Sequence, residues 1–413
     1  MGCHAAGEEN EGEFWHKLLT SQVLCMKDKI IYFDNAATSF PKPEEVTRAM
    51  VHFSNEIGAS PGRSGHRLAI EAGRIVFEAR EKISQLFGGK DSSRVVFGLN
   101  ATEGINQGLK GLLRPGDHVI TSSMEHNSVM RPLRAMMKEG LEVTILPCSP
   151  EGFLAPQGMK KAIRKNTKMV LINHASNVVG TLQTLAEIGQ VCRHQGILFF
   201  VDAAQSAGAV PIDMEREKID LLAFTGHKAL FGPQGTGGLV LGERVEEKEL
   251  TPVKQGGTGS RSELEEQPDF LPDLCESGTP NAVGIAGLLA GLDFVLREGV
   301  KKIRVHEMRL TQKLLQGLQA ISGVVLYGPR DARKQLSTVS FNIQGIEPSE
   351  VGLKLDEEFG ILCRVGLHCS PASHRTLGTF PQGTVRFGLS YFNREEEIEE
   401  ALQAVSRIAR REA

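Results

Sequence analysis

Short apolar runs alternate with amphipathic stretches through most of the chain. Seven runs between residues 94 and 241 are mostly hydrophobic, and the stretches before and between them repeat hydrophobic residues at helical spacing. The predicted strands are 94–97, 118–121, 142–146, 169–173, 197–202, 221–224 and 239–241, and the predicted helices are 68–86, 102–113, 129–138, 157–164 and 185–194. Apolar strands separated by amphipathic helices are typical of a mostly parallel sheet with helices on both faces. The sequence therefore predicts an α/β fold with a sheet of the seven-stranded type.

The pattern changes after residue 280. Two long helices precede short strands and helices without regular alternation, which is typical of a smaller α+β domain. The predicted elements are helices 281–296 and 300–321, strands 324–327 and 338–343, helix 349–359, strands 361–364 and 384–390, and a closing helix from residue 394. An early strand, 30–33, is expected to join this domain. The predicted divisions are an N-terminal extension, 1–28, a large domain, 42–295, and a small domain made of 29–41 with 296–413.

The composition is that of an ordinary globular protein. Of the 413 residues, 40% are hydrophobic and 23% are charged, and the formal net charge is −3. Because there is no long basic run and no apolar window long enough to span a bilayer, nucleic acid and membrane are not expected as partners. The N-terminus lacks the basic start and apolar core of a secretory signal. The seven cysteines are scattered and odd in number, so we expect reduced thiols and a cytoplasmic location.

Lys228 lies in a glycine-rich turn between two apolar runs that we interpret as buried strands. Glycines allow a planar group to approach the backbone closely, and Thr225 and His227 offer hydrogen-bond donors on either side of the amine. This arrangement suits an aldehyde cofactor that carries a phosphate. A solvated loop lysine would look the same in isolation, so the rest of the chain must decide.

Polar residues follow several other predicted strands, at the sheet edge where ligands of such folds bind. Asn100 begins a helix whose free N–H groups suit a phosphate, although an ordinary helix cap has the same appearance. Asp202 ends an apolar strand and needs a partner, either a protonated pyridine nitrogen or a helix N-terminus. Asn177 and His126 lie at the same edge, where an imidazole could stack on an aromatic ring or be purely structural.

Seven short motifs that contain polar residues occur along the chain, at 32–38, 100–103, 124–127, 173–181, 201–205, 225–228 and 278–281. In this order they resemble the motifs of the fold-type I pyridoxal-phosphate enzymes, and specifically of the class V aminotransferase and cysteine desulfurase family. The resemblance covers about residues 30–408. Seven motifs in the expected order are far more specific than any single one.

The resemblance implies pyridoxal 5'-phosphate as cofactor and assigns roles around it. Lys228 would join the cofactor covalently, Asp202 would pair with its pyridine nitrogen, and Gln205 would contact its phenolic oxygen. His126 would stack on the ring and act in catalysis. The phosphate would be held by Ala101, Thr102, Thr225 and His227. The position of Thr279 implies a homodimer in which this residue reaches the phosphate of the neighbouring subunit.

The stretch 362–371 resembles the cysteine-bearing loop of group II cysteine desulfurases and includes Arg364, His368 and Cys369. Cys369 is the predicted nucleophile, and the two neighbouring side chains are expected to favour its thiolate. Arg386 matches the family arginine that holds the substrate carboxylate, for which its planar fork is suited. The predicted substrate-binding residues are Asn35, Asn177, Arg364 and Arg386.

The function that these residues predict is a cysteine desulfurase with Lys228 as base and Cys369 as sulfur acceptor. L-Cysteine would become L-alanine, and the persulfide on Cys369 would pass to an unidentified protein acceptor. A selenocysteine lyase, or another class V lyase or transaminase, is the nearest alternative. A catalytically idle protein that only binds the cofactor is the alternative from another class.

The same loop also admits a zinc site. Its ligands would be Cys363, His368, Cys369 and His374. Ligation by adjacent histidine and cysteine is awkward, and the chain has no separate pair of cysteines at short spacing. We therefore predict no metal site.

Overall fold

The computed structural model describes residues 30–62 and 64–410, and the predicted extension 1–28 lies outside them. A seven-stranded sheet dominates this part of the chain, with the order β2-β8-β7-β6-β5-β3-β4. Its strands are β2 (Val95–Gly98), β3 (His118–Ser122), β4 (Glu142–Leu146), β5 (Thr167–Asn173), β6 (Leu198–Asp202), β7 (Leu221–Thr225) and β8 (Gly237–Leu241). Strand β8 is antiparallel to both of its neighbours, β2 and β7, and the remaining pairs of adjacent strands are parallel. The predicted α/β class and the number of strands are confirmed.

Helices cover both faces of this sheet. They are α1 (Glu44–His52), α2 (Arg67–Leu86), α3 (Ala101–Leu112), α4 (Asn127–Met137), α5 (Pro156–Ala162), α6 (Leu185–His194) and α7 (Ala282–Glu298). Alternate residues of a strand face opposite sides, and β6 shows the consequence. Phe199 joins the hydrophobic core on one face of the sheet, whereas Phe200 joins the core on the other. The strand is apolar at every position before its terminal Asp202 because both of its faces are buried.

The C-terminal part has its own four-stranded antiparallel sheet, β12-β13-β10-β9. Its elements are α8 (Val300–Gln319), β9 (Val324–Tyr327), β10 (Thr338–Ile343), α9 (Pro348–Phe359), β11 (Ile361–Leu362), β12 (Arg364–Gly366), α10 (Pro371–Leu377), β13 (Thr384–Gly388) and α11 (Glu395–Arg410). The N-terminal strand β1 (Ile31–Tyr32) pairs with β11, as expected. The exact domain limits stay a prediction. Among the described residues, none of the helices combines the length and the hydropathy that crossing a bilayer requires.

The segment around Cys363 differs from the sequence prediction. In place of one strand over 361–364, β11 pairs with β1, and β12 pairs with β13 in the other sheet. The break lies at Cys363, and it sets Arg364 directly opposite Arg386 in the β12–β13 register. The short helix α10 that follows was not predicted. Together these elements present residues 367–370 as a tight loop at the edge of the large sheet.

Candidate active site

A cavity of about 240 Å³ opens where the parallel strands end. It lies at the carboxyl ends of β5, β6 and β7, the edge at which α/β folds bind ligands. Its lining residues are Ala36, Ala37, Asn100, Ala101, Thr102, His126, Ser128, Asn173, Ala175, Asn177, Asp202, Ala204, Gln205, Thr225, His227, Lys228, Arg364, His368 and Arg386. The structure thus collects most of the predicted site residues in one place.

Lys228 follows β7 in a turn that leaves no room for a side chain at Gly226. A Cβ atom at Gly226 would overlap Thr236 Oγ1, so only glycine allows the turn to close this way. Burial lowers the pKa of the Lys228 amine to about 8, and the negative charge of Asp202 acts in the opposite direction. A much larger fraction of the amine is therefore neutral at physiological pH than for a solvated lysine.

Asp202 is a buried carboxylate without a cationic partner at ion-pair distance among the described residues. Its side chain is 5% exposed, and its Oδ1 accepts a hydrogen bond from the Ala204 N–H at 2.9 Å. Burial raises the pKa of Asp202, because the charged form loses its hydration. A cationic N–H at this position would offset that cost. The protonated nitrogen of a pyridine ring has the required charge and donor.

The opposite side of the cavity offers donors without acceptors. Asn100 caps α3, and its Oδ1 accepts from the Glu103 N–H, which leaves the N–H groups of Ala101 and Thr102 at the open helix terminus. Thr225 Oγ1 and His227 Nδ1 are buried and have no hydrogen-bond partner in the described part of the chain. Buried polar atoms are rarely left unsatisfied unless a ligand completes them. A phosphate would satisfy this set.

These observations fit the predicted cofactor. The free donors suit its phosphate, Asp202 suits its pyridine nitrogen, and the buried amine of Lys228 suits its aldehyde. Gln205 also lines the cavity, and its Nε2 donates to the carbonyl of Ala36 at 2.9 Å. The residues present therefore fit pyridoxal 5'-phosphate.

His126 caps α4 and contributes a neutral ring to the cavity. Its Nδ1 accepts a hydrogen bond from the Ser128 N–H at 3.0 Å, which leaves the proton on Nε2. Burial, followed by the charge of Lys228, lowers the pKa of His126 to about 4. An uncharged imidazole can stack on a cofactor ring without placing a second cation beside Lys228.

Arg386 is the buried cation of the site, with 1% of its surface exposed. Its Nη2 contacts Asp34 Oδ1 at 2.7 Å, and its Nη1 donates to the carbonyl of Asn177 at 2.9 Å. The Nε atom has no hydrogen-bond partner among the described residues. A carboxylate in the cavity would give this guanidinium the acceptor that it lacks.

The loop that carries Cys369 is short and firmly held. His368 and Cys369 both have left-handed backbone conformations, with φ of 47° and 58°, which are uncommon for residues other than glycine. Asn177 Nδ2 donates to the carbonyl of His368 at 2.7 Å, and the Asn127 N–H donates to that of Cys369 at 2.9 Å. Cys369 itself is exposed, so these contacts fix the backbone while the thiol stays accessible.

Only one of the two expected neighbours places a positive charge beside the thiol. Arg364 Nη2 lies 3.6 Å from Cys369 Sγ. His368 is 3% exposed, and burial lowers its pKa to about 2, so the ring is neutral. Burial also raises the pKa of Cys363 to about 12, which leaves that thiol protonated. Within residues 30–62 and 64–410, no group of three histidine, cysteine or acidic side chains is arranged to hold a metal ion.

Three predicted site residues, Asn35, Thr279 and Cys369, are not among the residues that line the cavity. Asn35 is buried, and its amide bonds to groups of the protein, including the Gly388 carbonyl at 2.9 Å and the Phe40 N–H at 3.0 Å. Its side chain therefore bonds within the fold, next to a small pocket that Lys228 also lines, and its role towards the substrate stays a prediction. Thr279 is exposed and lines a separate cavity of about 300 Å³. Within one chain it does not reach the site.

Sequence reasoning missed two acidic residues. Asp34 belongs to a motif that we identified, but its contact with Arg386 joins residues 352 positions apart. Glu125 is fully buried behind the cavity, where it accepts from Ser122 Oγ at 2.5 Å and from the Asn173 N–H at 2.9 Å. The available signal was its place directly before His126 at a strand end.

Known proteins resemble this chain along nearly its whole length. The family model described as Aminotransferase class-V matches residues 31–401. A probable cysteine desulfurase from Methanothermobacter thermautotrophicus is 35% identical over 384 residues, which cover 92% of this chain and 94% of the relative. Another from Pyrococcus abyssi is 34% identical over 394 residues, with 93% and 96% covered. The apo structure of a cysteine desulfurase from Thermococcus onnurineus NA1 has a TM-score of 0.87 and 32% identity, with 93% of this chain and 96% of that chain covered.

Proposed function

Because this chain belongs to the aminotransferase class-V family, we propose that it is a cysteine desulfurase that works with pyridoxal 5'-phosphate and carries the released sulfur on Cys369. One observation carries the proposal: Arg364 lines the same cavity as Lys228, and its Nη2 lies 3.6 Å from the sulfur of the exposed Cys369. The thiol is therefore next to the cavity that contains the lysine. The relatives named as cysteine desulfurases support the same assignment.

The cofactor would be held at three points. The N-terminus of α3, Thr225 and His227 would bind its phosphate, Asp202 its pyridine nitrogen, and Lys228 its aldehyde carbon. When bound, the cofactor supplies an electron sink for the electron pair left on the substrate Cα. His126 lines the same cavity and would cover the ring with its neutral imidazole.

Lys228 and Arg386 would act on the amino-acid part of L-cysteine. Arg386 would bind the carboxylate, because its buried guanidinium has an unused donor. Lys228 Nζ would then accept the proton from the substrate Cα. Since burial lowers the pKa of Lys228 to about 8, about one amine in ten is neutral at pH 7. An ordinary lysine offers less than about one in a thousand.

Cys369 would remove the sulfur. Its thiolate attacks the substrate sulfur, the new S–S bond forms, and the Cβ–S bond of the substrate breaks. The electron pair and a proton stay with the three-carbon fragment, which leaves as L-alanine. The balance is a thiol and cysteine on one side and a persulfide and alanine on the other, without an external oxidant. Arg364, whose Nη2 lies 3.6 Å from Cys369 Sγ, would orient the sulfur for the attack.

We also propose that the enzyme is a homodimer. Thr279 is exposed and lies in the second cavity together with Phe77, a 56% exposed phenylalanine of α2. Exposed apolar residues on α1 and α2, among them Val51 and Ile70, would be covered by a second copy. Thr279 would then approach the phosphate of the neighbouring site.

The reaction is proposed to take place in the cytoplasm, because it needs a reduced thiol, and all five described cysteines are unpaired.

Sulfide and alanine release from L-cysteine, with dithiothreitol as acceptor, tests the proposal. Cys369→Ser is expected to reduce both products to background while the bound cofactor keeps its absorbance. Lys228→Ala is expected to abolish the mass increase that borohydride reduction produces in cofactor-loaded protein. A Cys369→Ser variant with the wild-type rate of sulfide release would contradict the proposed nucleophile. Parallel assays with L-selenocysteine separate the selenocysteine lyase alternative, for which the thiol is not required.

A further inference from the structure

The exposed face of α4 carries cations beside the thiol loop. Arg131 and Arg134 are three residues apart, and Lys138 follows seven residues after the first, so all three lie on one side of the helix. All three are exposed. With Arg364 beside Cys369, they form a surface that we call the basic rim. At 1.5 Å per residue, its part from Arg131 to Lys138 is about 10 Å long.

The cations of the basic rim are not paired. No ion pair joins any of the four to a carboxylate in the described ranges, 30–62 and 64–410. Helix α4 contains no acidic residue, and one exposed carboxylate, Glu139, follows Lys138 beyond the helix end. Other exposed arginines, such as Arg74, Arg164 and Arg297, each contact a carboxylate. The chain as a whole has more acidic residues, 50, than lysines and arginines, 47, so an unpaired group of four cations is a local feature.

The basic rim adjoins the reacting sulfur. The first residue of α4, Asn127, donates its N–H to the carbonyl of Cys369 at 2.9 Å. Arg131 is close enough to the site that its charge, after burial and the charges of Lys228 and Arg364, contributes to the lowered pKa of His126. The rim therefore begins at the mouth of the cavity and continues outward along the helix.

The loop contacts fix where an acceptor must bind. Asn177 bonds to the carbonyl of His368 and accepts a hydrogen bond from Ser370 Oγ at 2.8 Å, so both residues that flank Cys369 are tied to the large sheet. A thiol on such a loop does not travel to a distant partner. The partner must bring its own thiol to the mouth, and the charges that it meets there belong to the basic rim.

We infer that the basic rim is the docking surface for a protein sulfur acceptor whose thiol is surrounded by acidic side chains. The inference rests on the proposed function. Complementary charge increases the rate of encounter and orients the partner. The half-buried Met137 lies between the cations, and methionine and arginine are both enriched at protein interfaces. Single-stranded RNA fits less well, because α4 has no aromatic side chain on which bases could stack.

The transfer step needs no further reagent. The acceptor thiolate attacks the outer sulfur of the Cys369 persulfide and forms a new S–S bond. The S–S bond to Cys369 breaks, and Cys369 leaves as a thiolate beside Arg364. The acceptor then carries the persulfide, and the oxidation state of the transferred sulfur is conserved.

The test uses the cofactor-loaded enzyme with its persulfide and two synthetic peptides. Each peptide has one cysteine, flanked by glutamates in one and by lysines in the other. The variant is Arg134→Glu with Lys138→Glu, two changes remote from the reacting groups. The control is Lys160→Glu with Lys161→Glu, two exposed lysines on α5, which packs on the opposite face of the sheet.

At low ionic strength, the wild type is expected to transfer sulfur faster to the acidic peptide than to the basic one. With the acidic peptide, the transfer rate of the rim variant should be about tenfold lower than that of the wild type, and the rate of the control variant should equal that of the wild type. Added salt should remove the difference between the rim variant and the wild type. Sulfide release to dithiothreitol should be the same in all three proteins. If the wild type released no sulfide to dithiothreitol, that result would contradict the proposed function.

Equal rates with the two peptides, or equal losses in the rim and control variants, would overturn the inference. So would a labelled single-stranded RNA that binds the wild type and loses binding in the rim variant while both peptides react alike. That last outcome would assign the basic rim to nucleic acid.

Discussion

The Asp202→Asn variant is expected to weaken cofactor binding without destabilising the cofactor-free protein. The side chains have nearly the same shape, so the hydrogen bond from the Ala204 N–H to Oδ1 can persist. The negative charge that would face the pyridine nitrogen is lost. A hydrogen bond to a charged group contributes about 1.5–3 kcal/mol, which corresponds to a factor of about 10 to 150 in the dissociation constant. We expect the affinity for pyridoxal 5'-phosphate to fall by that factor.

The stability of the cofactor-free protein should change in the opposite direction. Burial raises the pKa of Asp202, so its ionisation costs folding free energy in the absence of a cationic partner. This cost is absent below the ordinary pKa of an aspartate and grows as the pH rises above it. The neutral amide in the variant does not carry this cost. Without cofactor, the variant should therefore be at least as stable as the wild type at about pH 7.5.

Two measurements on the same protein preparations check this prediction. Titration of cofactor-free protein with pyridoxal 5'-phosphate, followed by absorbance, gives the dissociation constant, and thermal unfolding of the cofactor-free forms gives the stability. Asp117→Asn is the matched control, because Asp117 also accepts a backbone N–H, that of Arg114 at 2.7 Å, but at the opposite edge of the sheet. An unchanged dissociation constant would refute the assignment of Asp202. A weaker affinity accompanied by an equally large loss of stability would show structural damage instead.

Three further outcomes are expected. Gly226→Ala should lower the melting temperature and the cofactor occupancy together, because the new Cβ would overlap Thr236 Oγ1; circular dichroism and absorbance measure both. Arg386→Lys should raise the KM for L-cysteine by about tenfold or more with a smaller change in kcat, because lysine cannot form the bidentate contact; steady-state kinetics measure the split. Glu125→Gln should gain stability relative to the wild type as the pH rises from about 4 towards 8. Burial raises the pKa of Glu125 to about 8, so over this range the folded wild type loses stability because its carboxyl group resists ionisation. Urea unfolding at about pH 5 and about pH 8.5 measures the change.

Local patterns predicted the large sheet well, for a physical reason. Both faces of its central strands are buried, so β6 is apolar at every position before its terminal Asp202, and the pattern is visible without knowledge of the partners. The polar residue that ends such a strand must then lie at the ligand-binding edge. That is why Asp202, Asn177 and Lys228 were predicted from the chain alone and are found in one cavity.

Contacts between distant segments could not be predicted in the same way. The charge of His368 depends on its burial against β13, where its Nε2 lies 3.1 Å from Thr384 Oγ1. The split between β11 and β12 depends on two different partner strands, and neither is visible in 361–366 itself. The motif that contains Asn35 gave no sign that its amide donates a hydrogen bond to the Gly388 carbonyl. In each case the deciding group comes from elsewhere in the sequence.

Asn177 shows how the two parts of the molecule act as one site. It follows β5 of the large sheet and lines the cavity, yet its amide bonds to the thiol loop, through the His368 carbonyl and Ser370 Oγ. Its backbone carbonyl accepts from Arg386 Nη1. One residue thus contacts both Arg386, the proposed substrate-binding cation, and the loop that carries Cys369, the proposed nucleophile, at the strand ends where the cofactor is proposed to bind. The hydrogen bonds of Asn177 therefore tie both the thiol loop and Arg386 to the end of one strand of the large sheet, and in the proposed reaction they would hold the thiol in a defined position relative to the substrate.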